Sequence, residues 1–413
     1  MIPTPEKRIA EFEKKGFGMF IHYGLYSQMG KGEWIMCNGR IPDEKYRGLF
    51  DTFTAKDFDA RAIARLAKKS GMNYITLTTR HHEGFSLYDT KGLSDYDAPH
   101  ASGCRRDLIR EFVEACNDEG IMPMFYHTTL DWHVKSFNDD FPAYLKYLRD
   151  SVEVLCTEYG KIGGLWFDGN WSKPEADWEE DALYATIRRH QPDALIINNT
   201  GLGAQGKLGN PEIDSVTFEQ ARPQPMNREG MEKYVAAEMC TTMNDHWGVG
   251  DNDYNYKSLP ELIETLCACR RIGANFLLNV GPTGDGAILP MQQCLIEGIG
   301  SWISACGGCI YGAKPTAIEG DGKNFAIADE SRTYFFIHDL GIFGQAHVTV
   351  AGNGEGIKHF RNVKGRVRSI KYVDNGEELT FIQKWDDLFI YAPACPYGSN
   401  YIVRVAEAEI EAE

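Results

Sequence analysis

The sequence predicts a (β/α) barrel, TIM-like, followed by a C-terminal antiparallel β-sandwich. Three observations carry this reading: apolar runs that alternate with helix-patterned segments, a change of texture after "YGAKPT" (311–316), and polar residues gathered where the apolar runs end. The runs, rich in aromatic and branched residues, are "GMFIHYG" (18–24), "YITLTTR" (74–80), "IMPMFYH" (121–127), "GGLWFDG" (163–169), "ALIINN" (194–199) and "NFLLNVG" (275–281). "AAEMCTTM" (236–243) is a weaker member. Between them the period is that of a helix. In "CRRDLIREFVEACNDEG", Leu108, Ile109, Phe112, Val113 and Cys116 form one apolar stripe that Gly120 ends. Strands apolar on both faces and alternating with helices form a parallel sheet. Six or seven such units suit a barrel better than an open sheet. The predicted barrel domain covers 1–312.

Beyond it, over 313–413, helix patterns fade and short alternating runs take over: "RTYFFIHD", "QAHVTVAG", "RVRSIKYV", "ELTFIQKW", "LFIYAP" and "NYIVRVAE". Turn signals such as "DNGEE" and "AGNGEG" separate them. That is the signature of an antiparallel sandwich. The acidic end, "AEAEIEAE", is expected to be a solvated terminus.

Composition narrows the function classes. A chain that is 43% hydrophobic and 25% charged is ordinary for a globular protein, but 21 Phe, 20 Tyr and 8 Trp suit a pocket that stacks on a ring-shaped ligand. A net charge of −16 argues against DNA or RNA, which demand basic patches. No run reaches the apolar length of a membrane span, so no membrane partner is expected. "MIPTPEKRIAEFEKKG" lacks the apolar stretch of a signal peptide. Eleven cysteines, an odd and scattered count, read as free thiols in a reducing compartment; the expected location is cytoplasmic. A homo-oligomer is left open. Cys306-x-x-Cys309 closes a helix pattern, and Cys267-x-Cys269 lies at a spacing that splays the thiols, so all four read as buried structural cysteines.

Barrel enzymes build their sites at the C-terminal strand ends. Those ends carry His22 and Tyr23; Arg80, His81, His82 and Glu83; Tyr126 and His127; Asp168; and Asn198 and Asn199. A metal site on His22, His81, His82 and Asp168 is one alternative, weakened because adjacent histidines on an extended segment point opposite ways. No G-x-S-x-G elbow is present, and "NVGPTGDG" (279–286) lacks the Gly-Lys-Ser/Thr of a P-loop. A strand-end carboxylate walled by aromatics and ringed by His, Tyr and Asn is what glycoside cleavage requires. A second carboxyl must stand across the bond. Glu219 in the Pro-flanked segment "GNPEIDSVTFEQARPQP", read as an irregular loop over the barrel mouth, is the first choice. Glu238 and Asp214 are alternatives.

The motifs "FGMFIHYGLYS", "GEWIM", "LTTRHHEGFSLYDT", "LDWH", "GGLWFDG" and "GANFLLNVGPTGDG" resemble, in family order, the blocks of the α-L-fucosidases of glycoside hydrolase family 29, from about residue 8 to about 312. The resemblance implies a retaining exo-α-L-fucosidase without a cofactor, acting on fucosylated oligosaccharides or glycoconjugates. It implies Asp168 as the nucleophile, and His22, His81, His82, Glu33, Trp34, Tyr126 and Trp247 as substrate-binding residues. "DSVTFEQ" is similar to a segment that carries the acid/base in some members, which points to Glu219. An arginine that some members carry after the "NN" strand has no counterpart in "NNTGLGAQGK". A barrel that binds sugar without turnover, or a metal-dependent hydrolase or isomerase, are the rival classes.

Overall fold

The computed structural model describes residues 1–200, 205–344, 347–348 and 355–411. The chain divides into two compact units: Met1–Lys257 with Asn275–Glu297, and Ser258–Ala274 with Gly298–Glu413. The first holds eight parallel strands that close into a barrel: β1 (Phe17–Ile21), β2 (Tyr74–Arg80), β3 (Met122–Thr128), β4 (Gly164–Asp168), β5 (Leu195–Asn199), β6 (Ser215–Glu219), β7 (Ala236–Thr242) and β8 (Asn275–Val280). Pairing of β1 with β8 completes the ring. All seven strands read from the apolar runs are present. The eighth, β6, lies where the sequence reading placed an irregular loop. Its apolar residues, Val216 and Phe218, alternate with Ser215, Thr217 and Glu219, so it lacks the continuous apolar run by which the others were recognised.

Helices begin where short polar side chains satisfy free backbone N–H groups. Asp59 accepts from Ala62 N, Asp107 from Arg110 N, Asp140 from Ala143 N and Ser258 from Glu261 N. The stripe read from the sequence becomes the helix Leu108–Glu119, with Gly120 left-handed at its end. Among the described residues no helix joins β5 to β6 or β6 to β7. The short helix Lys7–Glu13 buries Ile9 and Phe12 in the barrel interior with Phe20, Tyr74, Met124 and Leu277.

Asp214 sits just ahead of β6, at the rim opposite the strand ends that bear the polar residues. It is fully buried and takes Arg8 Nη2 at 2.9 Å, Arg188 Nη2 at 2.9 Å, Lys233 Nζ at 2.8 Å and Ile196 N at 2.9 Å. Burial alone would raise its pKa, but the surrounding cations hold it below the ordinary value. A folded-state pKa below the unfolded one gives stability that is present at neutral pH and lost as pH falls through the folded value. Asp214→Asn should therefore lower unfolding free energy by about 3 kcal/mol at pH 7. The gap from wild type should close in acid, and urea titrations at both pH values measure it. An equal loss at both would remove the ion cluster as the cause.

The second unit carries one eight-stranded antiparallel sheet: β9 (Lys314–Gly320), β10 (Phe325–Ala328), β11 (Thr333–His338), β12 (Gly356–Arg361), β13 (Arg366–Tyr372), β14 (Phe381–Lys384), β15 (Asp387–Ala392) and β16 (Val403–Glu411), in the order 13-16-11-10-9-12-15-14. Ile370 of β13, Phe335 of β11, Phe360 of β12 and Ile390 of β15 share one core, so the sheet folds over on itself as a nearly closed sandwich. The acidic end is not a loose tail up to residue 411. Ala406 and Ala408 face that core and Ile410 packs against it, while β16 pairs with β11 and β13. The run "QAHVTVAG" lies mostly outside the described residues.

Candidate active site

Successive side chains of a strand point to opposite faces, so only alternate strand-end residues can reach the barrel interior. Phe20 and His22, Tyr126, Trp166 and Asp168, Asn199, Glu219 and Cys240 do so, and together line a pocket of about 560 Å³ including its mouth. Their neighbours face outward. Asn198 donates to Tyr184 Oη at 2.8 Å, Arg80 to Tyr147 Oη at 2.7 Å, and His127 Nδ1 meets Thr79 Oγ1 at 2.9 Å. Glu83 braces the turn after β1, accepting from Leu25 N, Tyr26 N and Tyr46 Oη.

Asp168 closes β4. The turn behind it needs Gly169, whose φ is +125° and whose missing Cβ would lie 2.5 Å from Leu130 N. Asp168 Oδ1 accepts from Trp171 Nε1 at 2.9 Å and Asn199 Nδ2 at 3.3 Å; Oδ2 accepts from Tyr126 Oη at 3.0 Å. Burial raises its pKa, and those three donors oppose the rise. Glu219 closes β6, two strands away, and its Oε2 accepts from the same Asn199 Nδ2 at 2.7 Å. Thr217 Oγ1 donates to Asn199 Oδ1 at 3.0 Å, which sets the amide's orientation. The two N–H bonds of an amide diverge by about 120°, so one nitrogen serving both carboxylates holds their oxygens about 5 Å apart. Burial, then the Asp168 charge, raises the Glu219 pKa to about 7.

The histidines meet across strands. His22 Nδ1 lies 2.7 Å from Asn279 Oδ1, and Asn279 Nδ2 donates to Trp247 O at 2.7 Å. That amide orientation puts the proton on Nδ1 and leaves Nε2 bare. His82 Nδ1 faces Thr128 Oγ1 at 2.7 Å; that hydroxyl donates to Leu130 O and so accepts from the imidazole. Its Nε2 is also bare and stands 3.5 Å from Asp168 Oδ2. Burial lowers the pKa of both to about 3 and that of His81 well below its usual value, so all three are neutral. β2 ends at Arg80, so His81 and His82 stand on the turn beyond it. Strand alternation does not separate them, and their rings lie 4.2 Å apart.

Trp34 joins Trp132, Trp171 and His82 in an aromatic wall, with ring centroids 5.0–5.8 Å from its own. Glu33 accepts from Gly248 N at 2.8 Å, tying down the loop that carries Trp247. Trp247 in turn packs against Phe20 and His22. Thus Asp168, Glu219, His22, His81, His82, Glu33, Trp34, Tyr126 and Trp247 all line one pocket.

The two alternative acids do not. Glu238 lies inside β7, fully buried, held by Tyr74 Oη at 2.6 Å and Trp166 Nε1 at 2.9 Å; burial raises its pKa to about 7. It neither lines the pocket nor ends its strand, whereas Asp214 lies at the opposite rim. Sequence reasoning gave no role to Asn199, Trp171, Thr128 or Asn279. Two of them carried a signal, Asn199 as a polar strand end, which pairs in register with Asp168, and Trp171 as an aromatic three residues beyond Asp168. Residues 201–204 of "NNTGLGAQGK" lie outside the described residues. Among the described residues no three His, Cys, Asp or Glu side chains converge on a metal position.

Two carboxylates bridged at the C-terminal mouth of a (β/α) barrel, in an aromatic pocket lined by hydrogen-bonding side chains, form the arrangement of a glycoside hydrolase. The α-L-fucosidase family model matches residues 4–308. The tissue α-L-fucosidase of Bos taurus is 27% identical over 354 residues, covering 76% of this chain and 70% of its own. The structure of α-L-fucosidase isoenzyme 1 from Paenibacillus thiaminolyticus superposes with a TM-score of 0.85 at 32% identity, over 98% of this chain and 99% of that one. A family 29 α-L-fucosidase from Bacteroides thetaiotaomicron, solved as a trapped covalent intermediate with 2-fluoro-fucosyl fluoride, shares the fold at 22% identity and a TM-score of 0.82, over 100% and 98% of the two chains. The chain belongs to the α-L-fucosidases of glycoside hydrolase family 29.

Proposed function

We propose that the protein is a retaining exo-α-L-fucosidase that releases terminal α-L-fucose from oligosaccharides or glycoconjugates. The observation that supports this best is the amide nitrogen of Asn199 serving Asp168 and Glu219 together. A spacing near 5 Å leaves no room for a water between carboxylate and sugar, as inversion would need. Asp168 attacks the anomeric carbon. Glu219, protonated near neutral pH, gives its proton to the departing oxygen. Once Asp168 is esterified its charge no longer raises the Glu219 pKa, and Glu219 can take the proton of the attacking water. The bare Nε2 atoms of His22 and His82 accept from fucose hydroxyls, with Tyr126, Glu33 and Trp34 beside them, and Trp247 faces the ring. The eleven free cysteines support a reducing, cytoplasmic setting.

A 2-fluoro-fucosyl fluoride should inactivate the enzyme with one label per chain, on the peptide that holds Asp168. A proton spectrum of the first-formed sugar should show the α anomer. A label on another carboxylate, or β-fucose as the first product, would refute the mechanism.

A further inference from the structure

Behind the pocket wall, on the outward faces of the same strand ends, lies a polar cluster for which the reaction has no use. Arg80 precedes His81 and His82, His127 follows Tyr126, and Asp131 precedes Trp132; each is at most 1% exposed. Arg80 Nη1 donates to Tyr147 Oη at 2.7 Å and Ser151 Oγ at 3.2 Å. Its Nε stands 3.7 Å from Asp131 Oδ2, beyond hydrogen-bond reach. Asp131 Oδ1 accepts from His133 N and Val134 N at 2.9 and 2.8 Å. Thr79 Oγ1 donates to Tyr126 O at 2.8 Å and so accepts from His127 Nδ1, which leaves His127 Nε2 a bare acceptor. The remainder is complementary: Arg80 Nε and Nη2 and Tyr88 Oη can donate, Asp131 Oδ2 and His127 Nε2 can accept, and none makes a hydrogen bond within the protein.

Each buried polar group left unpaired costs about 1–3 kcal/mol, and charged groups more. Donors and acceptors left over together, too far apart to pair directly, match what an internal water satisfies with about three hydrogen bonds. We propose that Arg80, His127 and Asp131 hold internal water, and that this water-bridged ion pair positions the wall that grips the sugar. The connection is short. Trp132 N donates to His82 O at 2.8 Å, and the Trp132 ring packs on His82 and on Trp34 at 5.4 and 5.0 Å. A shift of the Asp131 turn therefore moves His82 and Trp34 together. Arg80 and Asp131 are positioning residues; neither lines the pocket.

The inference rests on the pocket reading above, and two experiments separate it from that reading. A high-resolution crystal structure of the wild-type enzyme should show water within hydrogen-bond distance of Arg80 and of Asp131 or His127. Direct pairing of Arg80 with Asp131 in a dry site would overturn the proposal whatever the enzyme hydrolyses. The double variant Arg80→Gln, Asp131→Asn removes both charges and keeps the backbone bonds of Asp131, so it leaves no lone buried ion. With nitrophenyl fucoside its kcat should fall about ten- to hundredfold, with a smaller change in KM and Tm within a few degrees of wild type. Tyr147→Phe, which deletes only the hydroxyl that anchors Arg80, should show a milder fall of the same kind. Folded variants that keep wild-type kcat and KM would overturn the positioning role, whereas a wild type that inverts configuration would overturn the pocket reading instead.

Discussion

Asp168→Gly should reduce turnover of nitrophenyl fucoside by about 10⁴-fold or more, which is on the order of 5 kcal/mol of transition-state stabilisation. The fold should survive. The three donors around Asp168, from Trp171, Tyr126 and Asn199, are neutral, so removing the carboxylate strands no buried cation. Asn199 keeps Glu219 as an acceptor. Azide can occupy the space that the side chain leaves and attack the anomeric carbon from that face. One displacement inverts configuration, so the rescued product should be the β-fucosyl azide. A folded Asp168→Gly enzyme that retains more than a few per cent of activity, or that yields the α-azide, would require another nucleophile.

Glu219→Ala should be nearly harmless to the first step with nitrophenolate as leaving group and costly, by about 10²–10⁴-fold, with an alkyl or sugar aglycone that must receive a proton. Azide should then speed release of the covalent intermediate, because it needs no general base. That is a second displacement on an already inverted carbon, so the product should be the α-fucosyl azide, opposite to that of Asp168→Gly. The pH profile of kcat/KM follows from the same two groups. Activity should rise as Asp168 ionises, above its ordinary 3.8, and fall as Glu219 loses its proton near 7. The two limbs describe the coupled pair rather than either residue alone. In Glu219→Ala, with a nitrophenyl substrate, the alkaline limb should disappear. An unchanged alkaline limb, or equal losses on good and poor leaving groups, would leave Glu219 without the acid role. Glu238→Gln is the comparison: it keeps the bonds from Tyr74 and Trp166 partly in place and should show no leaving-group dependence.

Seven strands were legible because their residues are apolar on both faces, as a barrel buried on both sides demands. β6 was not, and for a functional reason. Thr217 and Glu219 point inward to serve Asn199 and the pocket, so the strand gives up the apolar run that would have revealed it. Residue types at strand ends marked six of the pocket residues, His22, His81, His82, Tyr126, Asp168 and Asn199, whereas Glu33, Trp34 and Trp247 came only with the family resemblance. Which of Asn198 and Asn199 faces inward is a matter of parity, and parity depends on where β5 starts. The partners that fix the histidine tautomers were out of reach too. Asn279 reaches His22 only because β8 closes against β1, with Phe20 opposite Asn279. That pairing spans more than two hundred and fifty residues of chain.

Those tautomers bear on the charge that develops during bond breaking. As the glycosidic bond stretches, positive charge gathers on the anomeric carbon and ring oxygen. Among the described residues, those lining the pocket include three carboxyl groups and three imidazoles but neither lysine nor arginine. Had the imidazoles been protonated, they would have set three cations around a nascent cation. Burial keeps the rings neutral, and because Asn279 and Thr128 hold the Nδ1 protons of His22 and His82, those rings turn lone pairs rather than charge toward the pocket. In the proposed reaction such a pocket can hold hydroxyl groups without opposing the charge that bond breaking creates.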